Sequence, residues 1–219
     1  MTHYQTGVLN QFKFDGVKGA TACVALCVQA VYQLHMLLRD HDQLPTKTEW
    51  DSIMYRGIRT WQLWRERNPY TATSFPLVDE IIKMPECKGF YEVFNTKYDE
   101  IGGLLFDSKV IENTEGPLSR VVTSLLKATK ESCALIVLPQ NYCIALLRYN
   151  NSLFLFDPHG RRGSNEIDFV QFKSPEALVS YLKDEHQYIN IDDAYIPKKM
   201  SKFDICKQFN YDATVFTTK

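Results

Sequence analysis

No serine in this chain stands in a Gly-x-Ser-x-Gly elbow, no His-Glu-x-x-His pair occurs, and no glycine loop of the phosphate-cradling kind is present. Serine-hydrolase, zinc-peptidase and nucleotide-binding chemistries thus lack their usual marks. Six cysteines are spread over 219 residues without one Cys-x-x-Cys pair. No histidine cluster accompanies them, so neither a structural zinc nor another cofactor is expected. Most sit in apolar runs, the habit of buried thiols, and imply a reducing, intracellular compartment such as the cytoplasm of a host cell. No apolar run approaches the ~20 residues that span a bilayer. The first residues show no basic segment followed by an apolar one, so no secretory leader is expected. A net charge of -1 and a pI near 6.5 give no general pull toward nucleic acid or an anionic membrane. Arg161 and Arg162 form only a local basic patch.

What is present is an ordinary globular balance, 45% apolar and 23% charged, in a chain long enough to bury a core without staples. The whole of 1–219 is expected to form a single domain, with a helical part at about 20–85 and a sheet part at about 88–216. Ala20 to Asp40 is apolar almost all round, which predicts a helix buried in the core. Asp42 to Pro45 break it. Thr46, followed three residues later by Glu49, is a capping signal for a second helix running to Arg67, with Trp50, Ile53, Met54, Ile58, Trp61 and Leu63 on its apolar face. A short helix is predicted from Pro76 to Lys83, and amphipathic ones over Leu118–Lys130 and Pro175–His186. Strands are predicted at Phe12–Phe14, Phe90–Phe94, Cys133–Leu138, Tyr142–Tyr149 and Leu153–Phe156, with edge strands from Phe203 to Phe216. Asn150-Asn151 marks a hairpin, since asparagine tolerates positive φ. Residues 95–117 carry no clear pattern. Helices first and then a block of strands argue for an α+β layout with segregated layers.

Leu153 to Gly163 concentrates the chemistry. An apolar strand delivers Asp157 and His159, two residues apart, to one face at its end. A carboxylate beside an imidazole is the pair that sets up a general base. Asp-Pro is also a common turn starter, and the pair alone decides nothing. Cys23 opens the first buried helix just after Gly16 and Gly19, where N–H groups and the helix dipole favour a thiolate. By position alone, a cysteine there is more often a small core residue, the role given to Cys27 one turn deeper. Gln11, twelve residues before Cys23 across a glycine-bearing loop, is a candidate oxyanion donor, with Asn10 as its substitute. His3 and His41 lie in polar stretches, His35 follows the core pattern, and His186 ends a helix.

Asn10-Gln11, then Gly19-x-x-x-Cys23 opening a helix, then Phe156-Asp157-Pro158-His159-Gly160 resemble the deubiquitinating cysteine protease domain of herpesvirus large tegument proteins and related viral tegument-like deubiquitinases. The segment from Trp50 and Asp51 through Gly57 to Trp61 is similar to that family too. The resemblance covers about residues 10–163. It implies a papain-like cysteine protease fold, α+β, with a buried central helix carrying the nucleophile and packed on an antiparallel or mixed sheet. It implies Cys23 as nucleophile, His159 as general base and acid, Asp157 orienting His159, and Gln11 completing the oxyanion hole. Other papain-like families place histidine at the start of a strand, but here the comparable strand begins Asn141-Tyr142-Cys143. The implied function is a deubiquitinase, a thiol-dependent hydrolase of the bond after the C-terminal glycine of ubiquitin. Its partner would be ubiquitin or polyubiquitin, and it would act as a monomer in the ubiquitin conjugation pathway and in host–virus interaction. Two alternatives stay open at this point: a catalytically silent ubiquitin- or protein-binding module, and a papain-like protease acting on a ubiquitin-like modifier.

Overall fold

The computed structural model describes residues 1–14, 21–69, 75–95, 99–104, 117–128, 131–138, 142–161, 164–184 and 210–219. Gly16, Gly19, Asn141, Arg162, His186 and Cys206 lie outside the described residues.

The apolar run after Ala22 forms α1, Cys23–His41, and it is buried along most of its length from Cys23 to Leu38. Asp42 ends it in the left-handed region, φ 50°, with its N–H on Leu38 O. Helix α2, Lys47–Arg67, starts as its capping signal predicts. Thr46 accepts from the Glu49 N–H, and the Glu49 carboxylate accepts from the Thr46 N–H. Short helices α3, Val78–Ile82, and α4, Lys88–Val93, complete this side.

The described residues contain one seven-stranded sheet, antiparallel at every pairing. Its strands are β1 Thr2–His3, β2 Asp99–Leu104, β3 Ser132–Leu138, β4 Tyr142–Tyr149, β5 Ser152–Asp157, β6 Asp168–Phe172 and β7 Asn210–Thr217, in the order β1-β6-β5-β4-β3-β7-β2. Asn150 and Asn151 both take positive φ, 44° and 61°, which makes the tight β4–β5 hairpin.

Both faces of the sheet are covered, so its central strands are apolar without alternation. Cys133, Leu135, Cys143, Ala145, Leu147, Phe154, Phe156 and Phe169 pack with α1 to α4. Residues of opposite parity, such as Ile136, Leu146, Leu155, Val170 and Phe172, pack with α5, Pro117–Lys127, and α6, Pro175–Asp184. Trp50 of α2 stacks on Phe156 of β5, centroids 5.4 Å apart and planes 6° apart, and so braces the strand that leads to Asp157.

Several elements differ from the sequence expectations. Phe90–Phe94 is not a strand: residues 88–93 are helical, and Phe90 and Phe94 are buried one helical turn apart. Phe12–Phe14 is a tight turn, with the N–H groups of Lys13 and Phe14 both on Asn10 O. The C-terminal strand β7 is not an edge but pairs with both β3 and β2. Helices lie on both faces of the sheet rather than in one segregated layer, which the α+β class accommodates.

His35 is buried to 2% exposure on α1, with its ring against Phe94 and Tyr149 and its Nδ1 3.5 Å from Glu131 Oε2. Burial, then the Arg39 charge, lower its pKa to about 4 from 6.5. Above pH 6.5 neither folded nor unfolded chain carries this charge. As pH falls from 6.5 toward 4, the unfolded chain takes up a proton that the folded one refuses, so stability drops. The expected loss is about 2 kcal/mol by pH 5. His35→Gln removes this component, so the melting-temperature difference between variant and parent shifts in the variant's favour from pH 7 to pH 5. An unchanged difference across that range rejects the assignment.

Candidate functional site

The Asp157-Pro158-His159 turn closes the end of β5. Asp157 Oδ1 accepts from the His159 backbone N–H at 2.9 Å and lies 2.6 Å from His159 Nδ1. One carboxylate oxygen thereby fixes both the backbone and the ring of the histidine. Asp157 and His159 are both fully buried. Gly160 then takes φ +78°, and a Cβ there would lie 2.2 Å from Glu166 O, so only glycine fits after the histidine. This glycine is the signal in the motif that says the turn is built and not merely tolerated.

The N-terminal segment runs along residues 164–167. Gly7 N–H reaches Glu166 Oε2 at 3.1 Å, Ile167 N–H reaches Val8 O at 3.0 Å, and Asn10 N–H reaches Asn165 O at 2.7 Å. Gln11 N–H then donates to Pro158 O at 2.8 Å, which ties Gln11 directly to the Asp-Pro-His turn. The next residue, Phe12, brings its half-exposed ring to 5.7 Å from the imidazole.

Asn10 and Gln11 divide their roles. Asn10 uses its side chain locally, accepting from Phe12 N–H at 3.2 Å and donating to Ser164 O at 3.4 Å. Gln11 is 1% exposed, and neither its Oε1 nor its Nε2 has a hydrogen-bond partner among the described residues. A buried amide left so costs about 1–3 kcal/mol per unmet group, and a ligand atom would recover it.

Cys23 opens α1 after Ala22, which supplies no side-chain cap. The Cys23 sulfur meets the backbone of Cys143 and of Val24, and its charge state is felt by the Tyr142 phenol. On the other side, the Tyr142 ring meets the His159 ring edge-on at 4.6 Å. Cys23 thus abuts Cys143 and His159 abuts Tyr142, neighbouring residues at the start of β4. Cys27, one turn along, donates to Cys143 O at 3.3 Å and belongs to the core.

The helix start does not favour a thiolate in the way expected from the sequence. Burial, followed by the nearby Cys143, pushes the Cys23 thiol far above its ordinary range, and the Cys143 and Val24 backbone contacts only partly oppose this.

Residues 8–203 match the model of the herpesvirus tegument protein N-terminal conserved region. The chain belongs to that family. No curated protein matches. Among solved structures it is similar to the ubiquitin-specific protease encoded by murine cytomegalovirus tegument protein M48, determined in complex with a ubiquitin-based suicide substrate. Identity there is 16%, the TM-score is 0.66, and the match covers 100% of this chain and 88% of that one. The Pseudomonas avirulence protein AvrPphB gives a TM-score of 0.48 at 10% identity, over 99% of this chain and 96% of that one. The tegument family member described here therefore has the expected fold, an α+β papain-like cysteine protease fold. Among the described residues no helix is long and apolar enough to cross a membrane.

Proposed function

We propose that this tegument domain is a cysteine deubiquitinase that cleaves the peptide or isopeptide bond after the C-terminal glycine of ubiquitin. Family membership and the fold likeness to a viral ubiquitin-specific protease support the reading. The observation that carries it is the Asp157–His159 contact of 2.6 Å, with His159 set against Tyr142 and Cys23 against the neighbouring Cys143 of β4, and the turn tied by backbone to a buried Gln11 amide that has no partner among the described residues. Residues 1–219 act as one domain, in a reducing compartment of the host cell, with ubiquitin or polyubiquitin as partner.

In this mechanism His159 takes the Cys23 proton as the sulfur attacks the carbonyl carbon of the terminal glycine. Gln11 Nε2 and the Cys23 backbone N–H bind the tetrahedral oxyanion. His159 returns the proton to the departing lysine amine, leaving a thioester on Cys23. Water attacks the thioester with His159 again as base, and free ubiquitin departs. Asp157 holds His159 Nδ1 throughout and stabilises the imidazolium.

The test is a panel of C-terminal electrophiles built on ubiquitin and on ubiquitin-like modifiers. Covalent capture of the ubiquitin probe at Cys23, and not of the others, supports the reading. Ubiquitin binding without capture makes the domain a silent module, and capture of another modifier alone replaces the substrate.

Gln11→Ala is expected to lower kcat by roughly 10²-fold with little change in KM, since the amide is needed for charge that develops only in the transition state. Stopped-flow and steady-state hydrolysis of a ubiquitin C-terminal fluorophore measure it. A loss confined to KM refutes the oxyanion role. Asn10→Ala is expected to act chiefly on stability, because its bonds are local.

A further inference from the structure

Asp157 has a second carboxylate directly across from it. In the antiparallel β5–β6 pairing, Asp157 is opposite Asp168. Opposite residues of such a pair have Cβ atoms about 5 Å apart and face the same side of the sheet. The two preceding pairs on this face, Leu155 with Val170 and Leu153 with Phe172, are apolar and buried. Like charges directly opposite one another are destabilising, and Asp168 is only 7% exposed. A fold with no use for the pair gains by placing a neutral residue there.

Asp168 is held from three sides. The Tyr181 hydroxyl of α6 donates to its Oδ2, and His3 Nδ1 of β1 lies 3.7 Å from its Oδ1. The His3 and Tyr181 rings are in contact, with centroids 5.4 Å apart. Arg161, in the loop after His159, adds a positive charge within electrostatic reach, and Asp157 adds a negative one. Burial, opposed by the Tyr181 hydrogen bond, raises the Asp168 pKa, with the Asp157 charge acting in the same direction as burial.

We propose that Asp168 is a positioning residue: a second carboxylate, fixed by Tyr181 and His3, that backs Asp157 and holds the proton shared by Cys23 and His159. The inference rests on the catalytic reading above and deepens it. Its physical content is electrostatic. Negative charge behind the imidazole favours the protonated pair. That proton is the one His159 must deliver to the departing amine.

A merely structural Asp168 would dock α6 through Tyr181, and two variants separate the roles. Asp168→Asn keeps an acceptor for the Tyr181 hydroxyl but removes the charge. Tyr181→Phe removes the hydrogen bond but leaves the carboxylate. Each is compared with the parent in kcat/KM against pH on a ubiquitin fluorophore, in the pH dependence of Cys23 alkylation by iodoacetamide, and in melting temperature. The expected result is that Asp168→Asn moves the alkaline limb of both profiles down by roughly half a pH unit or more. Tyr181→Phe lowers the melting temperature and leaves the limb in place. Asp168→Glu, which restores the charge, returns the limb toward that of the parent. The proposal is overturned if Asp168→Asn leaves the limb unmoved, or if both variants displace it equally. Alkylation needs no ubiquitin, so it reads this inference even where the substrate assignment fails. A Cys23 alkylation profile indifferent to His159→Ala instead overturns the catalytic reading itself.

Discussion

Cys23→Ala is expected to abolish covalent capture by a ubiquitin C-terminal electrophile and to lower hydrolysis by at least about a thousandfold, with the fold intact. The size of the effect follows from what remains. Without the sulfur no thioester can form, and only binding and the oxyanion donors are left to assist water, a residual effect of about 10³–10⁴ over the uncatalysed rate in comparable triads. The fold survives because the deleted atom is one sulfur at the end of α1. Cys23 is fully buried, so its loss costs about 1 kcal/mol of packing, small against the stability of a domain this size. His159→Ala is expected to fall nearly as far, since burial pushes the Cys23 thiol up and a base is needed beside it. The double variant is expected to be no worse than Cys23→Ala alone, because the two residues act as a unit. Mass spectrometry of the probe adduct and hydrolysis rates with matched melting curves measure this. Retained capture in Cys23→Ala, or an additive loss in the double variant, contradicts the assignment.

What was legible in the sequence follows the physics of each signal. The capping box at Thr46 and Glu49 and the asparagine pair at 150–151 are local rules, and both formed where expected. The apolar runs of β3, β4 and β5 were long enough to place, and the family motifs pointed to Asp157, His159, Cys23 and Gln11 before any geometry. Residues 90–94 were misread because an aromatic, β-branched run satisfies strand propensity, while its two phenylalanines four apart equally satisfy one helical turn. Strands β1, β2 and β6 carried too little pattern to read, and β6 is the one that brings Asp168 opposite Asp157. A cross-strand partner is a property of register, which no local pattern in 153–172 encodes. The upward push on the Cys23 thiol was hidden for a similar reason. The helix start is visible in the sequence, but the burial that outweighs it comes from β4 packing against α1.

Gly57→Ala is expected to cost roughly 2 kcal/mol or more in stability and much of the activity. On propensity alone alanine should help, because a mid-helix glycine costs about 1 kcal/mol. The crossing of α1 and α2 reverses the sign. A Cβ at Gly57 would stand 2.6 Å from Leu26 Cδ2 and 2.8 Å from Leu26 Cα. The second atom is the backbone of α1, so no rotamer relieves it and the helices must separate. Leu26 lies three residues beyond Cys23, so the displacement reaches Cys23. Gly89 is the control. There a Cβ would meet Tyr32 Cζ at 2.4 Å and its hydroxyl oxygen at 2.6 Å, the far end of a half-buried side chain that can swing aside. Gly89→Ala is therefore expected to stay within about 1 kcal/mol of the parent. Denaturant unfolding of both variants, beside Cys23 capture rates, decides the matter. If Gly57→Ala matches Gly89→Ala in stability, the α1–α2 approach does not set the place of Cys23. If it is destabilised and captures ubiquitin slowly while Gly89→Ala does neither, the glycine of the Trp50–Trp61 segment belongs to the family pattern for a packing reason: it lets α2 lie close enough to hold Cys23 against β4.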